Sequence, residues 1–439
     1  MPPGQGPVLA GDGSTASGDA RSRPLRWTIA ILICAAIAVS YFDRQTLPVA
    51  VAAIQRDIPI SNTQFSQLQG AFLLAYAFMY AGGGKLIDAL GTRIGFLVIM
   101  TWWSIACASH GLATGLAMLA ASRFLLGMGE GGGFPAATKA VAEWFPVRER
   151  STAMGIINAG TAVGAVIAPP AIALVISVLN WRWVFFLSGA VGLLWTIWWM
   201  HGYFAPSAHP RLTRHEREEI AEVFRSPSGQ APGIPWLRLF SYRQVWGLVI
   251  GKFLSDAAWY FYLFWLPKYL YDVRGFDTKS VGYFAWIPYA ASGIGSLTGG
   301  WFSSWLIRRG HSVNFARKLA LGASAAVMPL ILFVTWSPVS IAIVLFSIAF
   351  FGQQSWSTLV MILPADIFPH RAVGAVAGLV GFGGAMGGVV FGLVVGYLLD
   401  HGYGYAPVFG MVSTFHVIAF CVILLAIRVV RPVQVKGEL

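Results

Sequence analysis

What this chain has little of is charge. Of its 439 residues only 11% are Asp, Glu, Lys or Arg, against 56% hydrophobic, whereas a soluble domain has roughly a quarter of its residues charged. So few charges cannot cover a water-facing globule. Cysteine is scarce too: Cys34, Cys107 and Cys421 each lie inside an apolar run, which excludes both a disulfide framework and a zinc spacing and leaves helix packing as their expected role. The eight histidines are scattered, and no Ser/His/Asp or metal-ligand constellation stands out. A phosphate loop is absent as well, because Lys85 is followed by Leu86 where that loop needs Ser or Thr. No enzyme is expected. The first 25 residues, rich in Gly, Pro and Ser and carrying Arg21 and Arg23, contain no apolar core. They read as a flexible tail, not a cleaved signal.

What is present is one apolar stretch after another, each near the roughly 20 residues that a membrane-crossing helix needs. Apolar runs between charged or Pro/Gly-rich breaks predict spans over 27–50, 65–87, 94–112, 115–138, 151–178 and 183–204, then 244–267, 280–306, 316–335, 338–363, 372–398 and 405–428. An N-terminal tail (1–26), a first six-span unit (27–204), a polar connection (205–243), a second six-span unit (244–428) and a C-terminal tail (429–439) follow. A short charged helix is expected within the connection, over 212–224.

An even number of spans puts both termini on one side, and the Lys/Arg bias says which. One set of loops holds only Arg56, Arg182, Lys268, Arg274 and Lys279. The other holds the tail arginines, Lys85, Arg93, Lys139, Arg148, Arg150, the basic run 211–243, Arg308, Arg309, Arg317, Lys318, Arg371, Arg428, Arg431 and Lys436. Both termini are therefore expected in the cytoplasm. This asymmetry accounts for the net charge of +12. No nucleic-acid surface is needed, since a basic patch would require a soluble domain to display it.

The halves resemble each other. Glu143-Trp-Phe-Pro-Val-Arg148 and Asp366-Ile-Phe-Pro-His-Arg371 precede spans 5 and 11, and Gly155 and Gly378 keep the register. Gly84 and Arg93 match Gly300 and Arg309. A same-orientation repeat of six spans is the mark of parallel halves related by an axis along the membrane normal.

Six ionisable groups fall well inside spans: Asp43, Arg44, Arg123, Glu130, Lys252 and Asp256. Each costs about 2.5–3.5 kcal/mol on insertion scales unless it meets a cavity or a partner. Arg123 and Glu130 are seven apart and return to one helix face two turns along. Asp43 and Arg44 diverge by about 100° around span 1. Guanidinium suits a carboxylate, which makes Arg44 and Arg123 the anion-binding choices. Asp43 and Glu130 are acids that can titrate when partly buried. Protonating Glu130 would then release Arg123 from an internal ion pair to meet the substrate. The competing reading is a permanent salt-bridge set that fixes helix register. Lys252 and Asp256, one turn apart, read equally well as a pair that neutralises itself. The glycine runs 127–133 and 381–388 let helices approach closely, and Pro135, Pro169 and Pro170 add bends.

The loop Gly84-Lys-Leu-Ile-Asp88-Ala-Leu-Gly91-Thr-Arg93 resembles the G-x-x-x-D-x-x-G-x-R loop of the major facilitator superfamily. Tyr41-Phe-Asp43-Arg44-Gln45, Arg123 through Glu130, Trp259-Tyr-Phe-Tyr-Leu-Phe-Trp-Leu-Pro267 and Gln353-Gln-Ser-Trp-Ser357 are similar to the anion:cation symporters within it, in their hexuronate-transporter branch. The resemblance implies an all-α fold of twelve transmembrane helices in two six-helix bundles, in a bacterial inner membrane. It implies proton-coupled import of a sugar-acid anion such as glucuronate or galacturonate, the proton being the coupling ion and no cofactor being needed, with the chain a monomer in lipid. It also implies that the Gly84/Asp88/Gly91/Arg93 loop holds the halves together on the cytoplasmic side. The second-half loop has Ser304 where the acid would be, so that latch is expected on one side alone. On central spans the resemblance places Tyr41, Tyr76, Tyr260, Tyr262, Gln354, Trp356 and Ser357, with Tyr76 and Gln354 favoured as partners for sugar hydroxyls and packing the rival role for the rest. Asn158 and Thr161, one turn apart on span 5, are further cavity choices. Where related gluconate-type members have a longer amide near Thr161 and an Asn on span 11, this chain has neither. Rival functions are transport of an aromatic or other carboxylate, and a membrane ligand sensor that binds without flux.

Overall fold

The computed structural model describes residues 25–145, 147–212, 236–368 and 370–431. The tail up to residue 24, the charged helix expected over 212–224 and the last residues from 432 lie outside the described residues, apart from Leu212 itself. Within them the chain is helical throughout. In chain order come α1 (Leu25–Ile54), α2 (Asn62–Leu90), α3 (Thr92–Ser109, with a 3-10 turn His110–Leu112), α4 in two pieces (Leu116–Glu130 and Gly133–Trp144), α5 (Val147–Val178) and α6 (Trp181–Gly202). After a short helix, Trp236–Leu239, follow α7 (Arg243–Asp272), α8 in two pieces (Thr278–Phe284 and Trp286–Arg308), α9 (Val313–Ala326, continued as a 3-10 helix Met328–Trp336), α10 (Val339–Ile367), α11 (His370–Asp400) and α12 (Ala406–Ala426).

Eight of these helices are long and apolar enough to cross a membrane on those grounds alone, nine if the bent α2 is included. The others fall short for chemical reasons. α4 carries Arg123 and Glu130 and breaks at Gly131–Gly132; α7 carries Lys252, Asp256, Lys268 and Asp272; α8 is rich in Ser, Thr and Gly. Their polar faces need shelter from lipid, and packing against the other helices provides it.

The repeat read from sequence reappears in packing. α1 lies on α5 as α7 lies on α11, α2 on α4 as α8 on α10, and α3 on α6 as α9 on α12. Glycine makes two of these seams possible. A Cβ added at Gly160 or Gly164 would fall 2.3 or 2.1 Å from the carbonyl oxygens of Cys34 or Ala38 on α1. In the second half Gly383 and Gly387 stand at the same seam, and a Cβ at Gly387 would lie 2.0 Å from the Phe253 carbonyl oxygen. Only hydrogen fits there, which is how small residues bring membrane helices into backbone contact.

The halves meet along α2 with α11, α5 with α8, and α1 with α7. At one end the join is tight. Asp400, closing α11, accepts hydrogen bonds from the backbone N–H of Asn62 (2.9 Å) and Thr63 (2.7 Å) at the start of α2. A carboxylate there satisfies donors that a helix leaves unpaired and complements its dipole. Ser66 donates to the Gly392 carbonyl at 2.6 Å, Tyr271 to that of Val49 at 2.6 Å, and Gly282 nests on Pro169, Pro170 and Ala173. At the other end Gly155 of α5 and Gly374 and Gly378 of α11 face open space. Among the described residues, these named contacts between the halves gather at the end bearing the α1–α2 and α11–α12 loops.

Candidate functional site

Four charged side chains expected to work together are all buried where α1, α3, α4 and α6 converge: Asp43, Arg44, Arg123 and Glu130 are each no more than 2% exposed. Their pairing differs from the expectation. Glu130 Oε2 accepts from Arg44 Nε at 2.7 Å and from Ser40 Oγ at 2.6 Å. Ser40 and Arg44 are one turn apart on α1 and so present two donors to the same oxygen. Arg123 shares a helix face with Glu130, but seven residues at 1.5 Å rise set them about 10 Å apart along the axis. The expected Arg123–Glu130 pair is therefore replaced by Arg44–Glu130.

Arg123 is left with all three guanidinium nitrogens buried and without a hydrogen-bond partner among the described residues. Its neighbours are the Phe72 ring, 5.9 Å from the guanidinium carbon, and, within electrostatic reach, Cys107, Glu130 and Asp43. Asp43 receives the Ser188 hydroxyl and, at 3.4 Å, the Cys107 thiol on Oδ1, while its Oδ2 has no partner. Oε1 of Glu130 is equally bare. Leaving a buried donor or acceptor unmade costs roughly 1–3 kcal/mol, more for a charged group. A buried guanidinium without a hydrogen-bond partner among the described residues, within electrostatic reach of two carboxylates that each have an unbonded oxygen, is thus a costly arrangement that a ligand and a proton would relieve.

Arg44 is ringed by aromatics, its guanidinium carbon 4.5 Å from the centre of Tyr41 and 4.6 Å from that of Tyr76, with Phe72 at 5.5 Å. Cation–π contact holds the guanidinium while leaving edges of the fork available. Across the join between halves, Tyr260 lies within electrostatic reach of Arg44 and stacks on Phe264. Tyr289 donates to Gln45 at 3.0 Å and to the Leu263 carbonyl, tying α8 to α1.

The second half has its own cluster. Lys252 Nζ lies 2.9 Å from Asp256 and donates to Ser357 Oγ at 2.7 Å. Gln353 Nε2 donates to Asp256 at 3.4 Å and its oxygen pairs with His416 of α12. Of the adjacent amides it is Gln353 that is buried and bonded here, whereas Gln354, the one favoured from sequence, is half-buried and outside this network. Trp356 turns away, fully buried against His416 and Phe420 of α12, and so occupies a packing position. Thr161 gives its hydroxyl to the Asn158 carbonyl of its own helix and is not drawn into either cluster. Ser188, Cys107, Gln353 and His416 are the participants that sequence reasoning missed. Each is a polar side chain in a long apolar helix, which was the available signal.

The loop expected to act as a latch makes its described contacts inside the first half. Asp88 pairs with Lys139 of α4 at 2.8 Å, and Arg93 donates to the Met200 carbonyl of α6 at 2.7 Å while lying 4.0 Å over Phe204. Gly84 meets open space and Gly91 takes a positive φ of 74° between α2 and α3. All these contacts stay within the first half. The corresponding end of the second half is fastened by Arg317, which meets Asp366 at 2.8 Å and Ser303 at 2.9 Å.

The best-formed pocket among the described residues is elsewhere. Ala38, Phe42, Gly164, Ile167, Leu187 and Ser188 line it, its walls are almost wholly apolar, and it opens beside the exposed Ile167 and Val191. It offers an anion nothing.

Among the described residues, twelve helical spans in two repeated halves, each half holding a buried ionic cluster, have the architecture of a multi-pass membrane transporter. The chain belongs to the Major Facilitator Superfamily, whose family model matches residues 33–392. It is 31% identical to the hexuronate transporter of Escherichia coli (strain K12), over 94% of this chain and 96% of that one. It is 30% identical to the D-galactonate transporter of Escherichia coli O6:H1, over 88% and 92% respectively. Among solved structures, a bacterial homologue of the human lysosomal transporter Spinster superposes with a TM-score of 0.73 at 18% identity, covering 93% of this chain and 98% of that chain, a likeness of fold.

Proposed function

We propose that the chain imports a sugar-derived carboxylate together with a proton, by alternating access across a bacterial inner membrane with both termini in the cytoplasm. The observation that carries this reading is the buried guanidinium of Arg123, without a hydrogen-bond partner among the described residues and within electrostatic reach of Asp43 and Glu130, each of which has an unbonded oxygen. A carboxylate can dock on Arg123 without breaking any existing ion pair, and a planar fork matches it in two hydrogen bonds. Asp43 has no cation within salt-bridge distance among the described residues, so it takes a proton without losing a partner. Protonating Glu130 frees Arg44, not Arg123, and gives the anion a second guanidinium. Proton and anion thereby favour each other's binding.

With the Lys/Arg-rich loops inside, the end joined by Asp400, Ser66 and Tyr271 is periplasmic. The relatives named as hexuronate and galactonate transporters support a sugar acid as the cargo. The tyrosine ring around Arg44 favours one second reading, an aromatic carboxylate that stacks there. Purified protein in liposomes, given labelled galacturonate and an inside-alkaline gradient, is expected to accumulate it, and unlabelled uronates should compete better than aromatic acids. Competition in the reverse order would establish the second reading; no accumulation under any proton gradient would remove the first.

A further inference from the structure

We propose that Lys252 and Asp256 form the polyol-binding pole of the site, so that the chain selects monocarboxylates bearing adjacent hydroxyls and discriminates against dianions. This rests on the sugar-acid reading above and narrows its substrate class. An ammonium has three donors. Lys252 directs one to Asp256 and one to Ser357, so one is left. Both donors to Asp256, Lys252 and Gln353, fall on Oδ1. Oδ2 lies against Gly384, where an added Cβ would come within 2.2 Å of it, and receives no hydrogen bond among the described residues. The pair therefore presents a spare donor next to a spare acceptor.

Its back is fixed and its front faces the first cluster. Gln353 is held by His416, and Ser357 belongs to the same helix, α10. Asp256 is within electrostatic reach of Tyr41, Tyr80 and Tyr260, and Tyr41 is one of the rings around Arg44. One pole is then a guanidinium awaiting an anion. The other is an ion pair of zero net charge. A donor and acceptor side by side suit adjacent hydroxyls, which give and accept at once. A second carboxylate would find its cation already neutralised and Asp256 repelling it, which is discrimination by an unfavourable contact.

Inhibition of labelled galacturonate uptake in proteoliposomes by glucuronate and by galactarate, which has the polyol and a carboxylate at both ends, separates the possibilities. Wild type is expected to prefer glucuronate by about tenfold or more, as loss of one charge-assisted hydrogen bond implies. Asp256→Asn should weaken glucuronate by roughly ten- to a hundredfold and, by leaving Lys252 uncompensated, narrow or invert the preference. Lys252→Gln should move the preference the other way, further against galactarate. A role in packing alone would weaken both inhibitors equally. Equal weakening, unchanged affinity in both variants, or a wild type that accepts galactarate as well as glucuronate would overturn the proposal. If one variant fails to assemble, the other and the wild-type ratio still decide. A wild type that accumulates no sugar acid would instead remove the parent reading, and this one with it.

Discussion

The two buried ionic clusters differ in how their cations are paired. In the first half Arg123 has no partner and two carboxylate oxygens are bare, whereas in the second half Lys252 and Asp256 are joined to each other and braced by Ser357, Gln353 and His416. Two halves built on one repeat have thus diverged in chemistry while keeping their packing. On the function proposed above, charge recognition and proton traffic fall to the first half and fixed-geometry selection to the second. An unsatisfied group is poised to change partners; a satisfied one holds shape.

The largest effect that would sharpen this contrast is at Arg123. Arg123→Gln is expected to reduce galacturonate uptake by a hundredfold or more, on the order of 3 kcal/mol of lost charge-assisted binding, while thermal stability in detergent changes little, because no contact is broken. Glu130→Ala should lose uptake too, but it also strips Arg44 of its partner and should cost about 3–5 kcal/mol of stability. A large loss of stability in Arg123→Gln would show that the first half is as fully paired as the second.

Next in size are the glycine seams. Gly164→Ala and Gly387→Ala should each destabilise the protein by about 1–3 kcal/mol through overpacking against a carbonyl, and Gly155→Ala, which meets open space, should not. Equivalent losses at Gly164 and Gly387, read by fluorescence-detected thermal stability, would show that packing has stayed symmetric while chemistry has not.

A smaller effect concerns the end joined by Asp400. Asp400→Ala removes both acceptors from the start of α2 and should favour opening there by about 1–2 kcal/mol. A single cysteine at Thr63 should then react faster with a membrane-impermeant thiol reagent. An unchanged rate would mean that Ser66, Tyr271 and Gly282 hold this end without Asp400. The smallest effect is expected for Asp88→Asn, whose pairing with Lys139 is largely solvent-exposed and worth roughly 0–1 kcal/mol. A strong stability loss there would give the first-half loop a structural role that its exposed geometry does not support.

The helices and their repeat were legible in sequence because apolar length and glycine register are local properties. The motif offset linking Glu143 to Asp366 continues, unread, into Gly160 with Gly383 and Gly164 with Gly387, the residues that make the two seams. That Asp43, Arg44, Arg123 and Glu130 lie together was also legible, since lone charges in apolar helices must find shelter. Which of them pair was not. Spacing along α4 put Arg123 and Glu130 on one face but said nothing of Ser40 and Arg44 on α1, which outbid Arg123 for Glu130 by offering two donors at once. That Gln353 and not Gln354 joins the Lys252 cluster was not legible for a related reason: neighbours on a helix differ by about 100° in direction, and its partner His416 is supplied by another helix.

The central claim is that anion and proton bind the same first-half cluster and cross together. Proteoliposomes loaded with a pH-sensitive dye, with no imposed gradient, test it directly when galacturonate is added outside. The account predicts internal acidification with wild type and none with Asp43→Asn or Glu130→Gln; galacturonate entry by wild type without any proton movement would contradict it.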